Sequence, residues 1–575
     1  MGSRLRRFAL PTLVAIGAML AAACSDVPSH SHAVRVRGIA PGVADADPEV
    51  RQQPRTAAPG DTPERVVRGF LAAGKSAQDR HAIARTYLAP SAASWNDLGP
   101  IRIVAVAGER VILGPTTTRV VVSGHYQARL DNDLAYVPDD RALTLDLVLT
   151  RTEGQWRITN PPPGVLLPTT DFQAVYKPLD LYFLAPGGNT VIPDKRYFDV
   201  KQAVLPTQMA TRLLAGPSAW LTPGVRTAFP PGTRLRSNVI RDGDLFVVDL
   251  SVEVLAASRG QQSELAAQLV WTLAKQFSVS GVRILADGRP LRVRNQSGDV
   301  PRDAYASYNP RVLTSVVAGY YLAGGAVRTT TEPGTADPPT PPATGLTTAA
   351  ISADLGTLAG VRRRGPRMEL AIGPAQGLLT PRLVATSVTR PTWEPSADAV
   401  FVALNDGSIR RVGTDGGLAT VGAPRPAALR QVTALALSRD GVRMGVVAGP
   451  PGHRRLLLAV LSRTGTRISL SGLRDVAPSL TDVIDVTWAD EDHVLVIARR
   501  VDGPAEPYGL TLDGASISEQ PTSGLPGTPT RVAAAPGEPD LVEAGGRIWR
   551  RQGSLWESPV EGGARLAGSA PFYPG

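Results

Sequence analysis

Three stretches of this chain carry residue types that could do chemistry. Gly69-Phe70-Leu71-Ala72-Ala73-Gly74-Lys75-Ser76 has the spacing of a phosphate-binding loop. Such a loop works when glycine N–H groups and a lysine cradle phosphates between a strand and a helix. No apolar strand precedes this one. Pro63 to Arg68 read as helix, Phe70 and Leu71 fall on its buried face, and Gly74-Lys75 suit that helix's C-terminus. Asp131-x-Asp133 with Asp139-Asp140 could gather calcium, but the Gly and Glu of an EF-hand loop are missing and a solvated turn explains the run. Asp490-Glu491-Asp492-His493 could pair an acid with a base, and a polar turn between strands is the simpler reading. No Gly-x-Ser-x-Gly elbow and no His-Glu-x-x-His occur. No catalytic, cofactor-binding or metal-ligating set is expected, and the chain reads as a non-enzyme.

One thiol stands apart. Cys24 is the single cysteine among 575 residues, which excludes an intramolecular disulfide framework and a Cys-based zinc site. Before it lie Arg4, Arg6 and Arg7, then an uncharged run from Phe8 to Ala23 that is short for a membrane span and is interrupted by Pro11. Leu20-Ala21-Ala22-Ala23-Cys24 resembles a bacterial lipobox, with Ala21 in place of the more usual Leu. That resemblance implies cleavage between Ala23 and Cys24 and an N-palmitoyl, S-diacylglycerol Cys24, whose several acyl chains give stable anchoring. The alternative is a plain signal peptide, or an uncleaved anchor, with an incidental cysteine. Residues 1–23 are thus expected to be a signal, and 24–59, rich in Ser, Pro, Ala and Arg, a flexible tether. His30-x-His32 falls in that tether and is expected to be solvated.

Elements follow from spacing. Asp61-Thr62-Pro63-Glu64 starts a helix, with Val66, Val67, Phe70 and Leu71 on one face. A second helix is expected over 79–88, then strands over 101–106, 110–113, 119–128, 142–151 and 155–158. This is an α+β domain over 60–170. A second α+β domain over 171–295 begins with strand 181–184 and helix 205–214. Strands 235–240 and 245–250 then flank Asp242-Gly243, followed by helix 262–277 and strand 282–286. Residues 296–347 form a connecting segment and a Pro/Thr-rich linker.

Beyond it a weak repeat recurs at Ala353, Trp393, Leu437, Trp488 and Ala535, with polar turns such as Asn405-Asp406-Gly407 between apolar runs. Such spacing suits propeller blades over 348–575, with Ser307–Ala323 or a divergent segment as a candidate further blade. A β-sandwich is the alternative. Trp393 and Trp488 at equivalent positions suit packing between blades, or sugar stacking at the propeller mouth. The fold class is multidomain: two α+β domains followed by an all-β propeller-like repeat domain. The 57 Gly and 51 Pro, about a fifth of the chain, belong with such turn-rich structure.

The order of these parts resembles the actinobacterial lipoprotein LpqB family. Ala84-Arg85-Thr86-Tyr87-Leu88 with Trp95, Trp156-Arg157-Ile158 with Pro161-Pro162-Pro163-Gly164, and Val191-Ile192-Pro193-Asp194 carry the match. The middle domain resembles a GerMN domain through Leu213-Leu214-Ala215-Gly216-Pro217, Phe229-Pro230-Pro231-Gly232-Thr233, Val248-Asp249-Leu250-Ser251 and Asp287-Gly288. The resemblance implies a lipid-anchored protein on the outer face of the plasma membrane. It also implies a partner, the extracytoplasmic domain of a sensor histidine kinase in a two-component system, whose envelope and cell-division signalling the protein modulates. It carries over no catalytic residue.

Charge narrows the remaining partners. The net +10 is spread thinly: residues 351–575 hold 24 Arg against 22 Asp and Glu, and no basic cluster is interleaved with aromatics. A nucleic-acid partner is therefore not expected. A mild positive field suits anionic lipid, and a cell-wall polymer such as peptidoglycan is the second candidate partner. Replacing the thiol tests the anchor: a Cys24→Ser variant is expected to be released or left unprocessed, read by membrane fractionation and by mass spectrometry of the N-terminus. A variant still acylated and membrane-bound would remove Cys24 from that role.

Overall fold

The computed structural model describes residues 54–575 apart from 78, 115–116, 189, 200–203, 294–295, 310–317, 331–344, 424–425, 559, 562–563 and 566. Cys24, the tether up to residue 53 and most of the Pro/Thr-rich linker lie outside the described residues.

The first helix starts where its cap dictates. The Thr62 side chain accepts from Arg65 N and Pro63 opens the first turn of α1 (Pro63–Ala73), which buries Val66, Val67, Phe70 and Leu71. The helix expected over 79–88 shrinks to α2 (Ala82–Arg85). Asp79, Arg80 and His81 adopt φ of 46°, 55° and 56°, outside helical space. That turn delivers Arg80 (2.9 Å), His81 (3.3 Å) and Arg85 (2.8 Å) to the buried Asp97. Burial works to raise the Asp97 carboxyl, but the hydrogen bonds from Arg80 and His81 hold it down at about 2.

Six strands form the sheet behind these helices: β1 (Ile101–Leu113), β2 (Thr117–Leu130), β3 (Tyr136–Pro138), β4 (Ala142–Thr152), β5 (Gln155–Ile158) and β6 (Val165–Pro168). The order is β5-β4-β2-β1-β6, with β3 on β2. The two strands expected over 101–113 are one strand, β1, with register breaks after Ile103 and Val106.

The second domain follows through α3 (Thr169–Val175) into the hairpin β7 (Tyr176–Leu184) and β8 (Val191–Asp199), then α4 (Leu205–Ala215). Around Asp242-Gly243, β9 (Ile240–Asp242) pairs with β10 (Leu245–Leu250). The strand expected over 235–240 is reduced to a bridge between Leu235 and Leu250. A capping box, Ser258 with Gln261, starts α5 (Arg259–Leu269). It continues through a π-helical turn at Val270–Ala274. β10 runs parallel to β11 (Gly281–Ala286), and Asp299–Pro301 also pairs with β11, so this sheet extends past residue 295.

Among the described residues the repeats form a six-bladed ring. Five blades are four-stranded and start at Leu346, Thr392, Val432, Asp482 and Pro529. The sixth is composite: the C-terminal strand Ser569–Phe572 pairs with Tyr320–Ala323, which pairs with Ala326–Thr329. The ring therefore begins at Tyr320, ahead of the Pro/Thr-rich stretch, and not at 348. The flanks of that stretch meet, with Leu346 N donating to Gly325 O at 3.0 Å. Blades are also stitched sideways: Trp393 Nε1 donates to Ala350 O (3.0 Å) and Trp488 Nε1 to Ala436 O (2.9 Å), each on the inner strand of the preceding blade. This is the packing role weighed for both tryptophans.

Closure rests on few residues. Tyr320 and Phe572 stack at 5.6 Å between ring centroids, and Phe572 is buried. A Phe572→Ala change is expected to cost about 3–5 kcal/mol, as a cavity in a well-packed site does. Denaturant unfolding should show the loss, and an unchanged midpoint would remove this strand from the closure.

Candidate functional site

Two places gather polar groups from distant parts of the chain: the propeller channel and the junction of the three domains. The channel opening holds about 520 Å³, counting solvent at its mouth, and is walled by Ala436, Leu437, Thr487, Trp488, Ala534 and Phe572 among others. Arg390, just before the inner strand of the second blade, reaches across it. Its guanidinium donates to the carbonyls of Val486 (3.0 Å), Val532 (3.2 Å) and Pro571 (3.4 Å) and to Asp485 Oδ1 (3.4 Å). Asp485 is buried and accepts Val532 N at 3.0 Å. One side chain thus ties its own blade to three others.

The junction is built on β8. Lys195 projects from it onto two carboxylates, Asp180 Oδ1 on β7 (3.1 Å) and Asp492 Oδ2 on the fourth blade (2.5 Å). Two residues on, Tyr197 donates its hydroxyl to Asp513 of the same blade at 2.8 Å. The Tyr197 ring packs with Phe172 and with Tyr136 of the first domain, so all three domains meet there. Beside them Trp220 Nε1 donates to Gly472 O (2.8 Å), and the Arg474 guanidinium lies 3.7 Å from the Trp220 ring centre. An apolar seam completes the contact: Ile192 and Leu221 pack against Val442 and Val460. Gly224 fits only as glycine, because an added Cβ would sit 2.4 Å from Val460 Cγ1.

The charges here are strained by burial. Desolvation raises the Asp180 carboxyl, the Asp492 charge adds to this, and Lys195 only partly offsets it, leaving Asp180 at about 6. Burial alone would lower Lys195, yet its two carboxylates hold it above the ordinary lysine value. Burial, then Asp513, raises the Tyr197 phenol.

The stretches singled out in the sequence have structural roles. In the phosphate-loop pattern, Gly69 is a packing glycine, since a Cβ there would meet the Tyr87 ring at 2.4 Å. Gly74 caps α1, and Lys75 bonds Asp171 at 3.2 Å. Asp131 accepts its own turn's amides, Asp133 N and Ala135 N, and Asp139 pairs with Arg141. Asp490 accepts His493 Nδ1 at 2.9 Å, while Asp492 belongs to the junction. Among the described residues no group of three or more His, Cys, Asp or Glu could hold a metal ion. Sequence reasoning missed Arg390, Lys195, Tyr197, Asp492 and Asp513 as a set. One signal was present: only five lysines occur, and Lys195 directly follows the Val191–Asp194 motif.

Comparisons with known proteins divide the chain in the same way. The family described as "Lipoprotein LpqB, N-terminal domain" matches residues 56–173. "Sporulation and spore germination" matches 180–292, and "Lipoprotein LpqB beta-propeller domain" matches 326–574. Lipoprotein LpqB of Mycobacterium leprae is 30% identical over 567 residues, covering 90% of this chain and 92% of that protein. Lipoprotein LpqB of Thermobifida fusca is 27% identical over 637 aligned positions, covering 99% of each. Among solved structures, a chain of the nidogen/laminin complex aligns with TM-score 0.34 and 10% identity over 45% of this chain and 98% of that one. TolB of Acinetobacter baumannii aligns with TM-score 0.23 and 13% identity over 38% and 66%.

The junction yields a pH signature. Asp180 lies above its unfolded value, so the fold holds its proton more tightly between about pH 4 and pH 6. Its contribution is greatest below that window, is lost as pH rises through it, and stays lost above. Asp180→Asn should cancel this part of the melting-temperature profile, seen as a wild-type-minus-variant difference that falls across that window and is level on either side of it. Lys195→Met leaves two buried carboxylates facing each other and should cost about 3–5 kcal/mol. A flat difference profile for the first, or an unchanged unfolding midpoint for the second, would contradict the junction's charge chemistry.

Proposed function

Since the chain belongs to the lipoprotein LpqB family, we propose that it is a lipid-anchored, non-enzymatic accessory protein on the outer face of the plasma membrane. It binds the extracytoplasmic domain of a sensor histidine kinase and modulates that kinase's signalling. Cys24 carries the anchor. No helix among the described residues is long and apolar enough to cross a membrane.

The observation that supports this reading is the junction. Lys195, Tyr197 and Trp220 fasten the middle domain to the propeller, and Tyr136 fastens the first domain to both. Three domains held so closely present one fixed composite surface. A receptor ectodomain can dock on it without the ordering cost that jointed domains would add. The resemblance to the LpqB family is what implies a sensor kinase as the owner of that ectodomain.

In-cell cross-linking from the exported face, with mass-spectrometric identification of the partner, tests the proposal on the lipidated protein. The expected cross-link joins this chain to a sensor-kinase ectodomain, and a pull-down with that ectodomain should retain it. Absence from both would overturn the reading. Retention on purified cell wall without any kinase cross-link would replace it with a peptidoglycan-binding lipoprotein.

A further inference from the structure

The first domain carries its hairpin tip as far from the other domains as its sheet allows. β1 begins and β2 ends at the domain junction, where Ile103, Ala128 and Leu130 pack with Tyr136 and Tyr197. Their hairpin therefore turns at the opposite end of the sheet. There Leu113 is 79% exposed and Ile112 39%. Ile112 pairs with Arg119 and Leu113 with Thr118 across the hairpin. In the sequence, residues 111–118 carry no charge and are bracketed by Arg110 and Arg119. Arg119 pairs with Asp146, while Arg110 is exposed and has no ion pair among the described residues.

The chain enters the domain at this same end. Gly74, at the C-terminus of α1, lies against Val165 and Leu166 of β6, which pair with Ile101 and Arg102 at the start of β1. Arg68, earlier in α1, donates to Glu109 near the tip at 2.8 Å. α1 thus runs antiparallel to β1, and its N-terminus faces the tip end. The first described residues are held beside it: Arg55 pairs with Asp61, just before α1, and Tyr87 donates its hydroxyl to Arg55 O at 2.7 Å. Residues 25–53, between this point and Cys24, can reach at most about 100 Å. A chain anchored through Cys24 therefore keeps this end of the domain confined near the lipid. There a contact too weak to hold a free protein suffices, because the tether keeps its local concentration high.

Position and chemistry together select the occupant. Leu98 and Leu378 are as exposed as Leu113, but Leu98 lies just before β1, at the junction end, and Leu378 lies on the propeller. Leu113 and Ile112 alone sit at the end where the anchoring segment enters, beside an apolar phase. Arginines bracketing an uncharged tip suit the level of the headgroups, where anionic lipid attracts the guanidinium and the aliphatic stem follows the tip inward. We propose that the β1–β2 hairpin tip, through Ile112, Leu113 and Arg110, inserts into the anionic lipid surface that carries the anchor. The contact fixes the first domain's orientation, with the domain junction on the side away from the lipid. It rests on the lipid anchor of the reading above and is independent of the kinase.

The test uses the full-length lipidated protein in vesicles of phosphatidylcholine and phosphatidylglycerol. A fluorophore is attached at Leu113→Cys, and spin-labelled phosphatidylcholine in the bilayer serves as quencher. Quenching there should be about fivefold or more that of the same label at Leu98→Cys, at the other end of β1. Adding Ile112→Asp, or using vesicles of phosphatidylcholine alone, should each reduce it about twofold or more. Equal quenching at the two labelled positions, or an undiminished signal after either change, would overturn the proposal. Acylation blocks the Cys24 sulfur, so mass spectrometry of the labelled protein reads the anchor separately. Label on Cys24 would overturn the anchor and this proposal together, whereas a singly labelled protein without quenching would overturn this proposal alone.

Discussion

A propeller cannot bury its blade faces unless the ring closes, and this ring closes through one short pairing. Tyr320–Ala323 must wait for Ser569–Phe572, a strand from the other end of the domain. Every intervening blade has local partners, hairpin by hairpin, and can form before closure. The last pairing is non-local and carries the loop-closure entropy of the whole ring. The channel, the Arg390 bridge across it and the platform under the middle domain all presuppose that the two ends have met. Arg390 reinforces the closure from inside, since one of its acceptors is Pro571 on the closing strand.

The second constraint is electrostatic. A buried lysine shared by two carboxylates is a poor source of stability, because desolvating three charges offsets most of their attraction. It is a good source of uniqueness. Lys195 reaches Asp180 and Asp492 only in one arrangement of middle domain and blade, and any slip leaves charges buried without partners. The apolar seam of Ile192, Leu221, Val442 and Val460 supplies adhesion that could tolerate sliding, and the ions and the Tyr197–Asp513 bond remove that tolerance. A surface meant to be recognised as one shape benefits from this division of labour.

Much of the framework was legible where local chemistry decides. Thr62-Pro63 announces a helix start, Asp242-Gly243 a hairpin, and the equivalent tryptophans 393 and 488 a repeat packed blade on blade. Legibility fails where a distant group decides. The helix expected over 79–88 yields its first turn, Asp79 to His81, to a left-handed bend from which Arg80 and His81, with Arg85 on the remaining helix, reach Asp97. Ser307–Ala323 is a candidate further blade in the sequence and Tyr320–Ala323 does supply a strand of one, but its partner near residue 570 carries no repeat signature and declares itself only by the pairing. Lys195 and Asp492 stand 297 positions apart, and no periodicity links them. Cys24 is the opposite case, an expectation that rests on sequence alone.

One feature of the ring alters what a break in this chain would mean. Ala326–Thr329 and Leu346–Ile351, the strands before and after residues 331–344, both belong to the propeller. A protease cutting there would sever the polypeptide without dividing the molecule. The fragment bearing the first two domains would keep its two propeller strands clasped by the closing strand of the other fragment, and the junction ions would hold the pair a second time. The two pieces would still migrate as one body in solution, and denaturing conditions alone would reveal the nick.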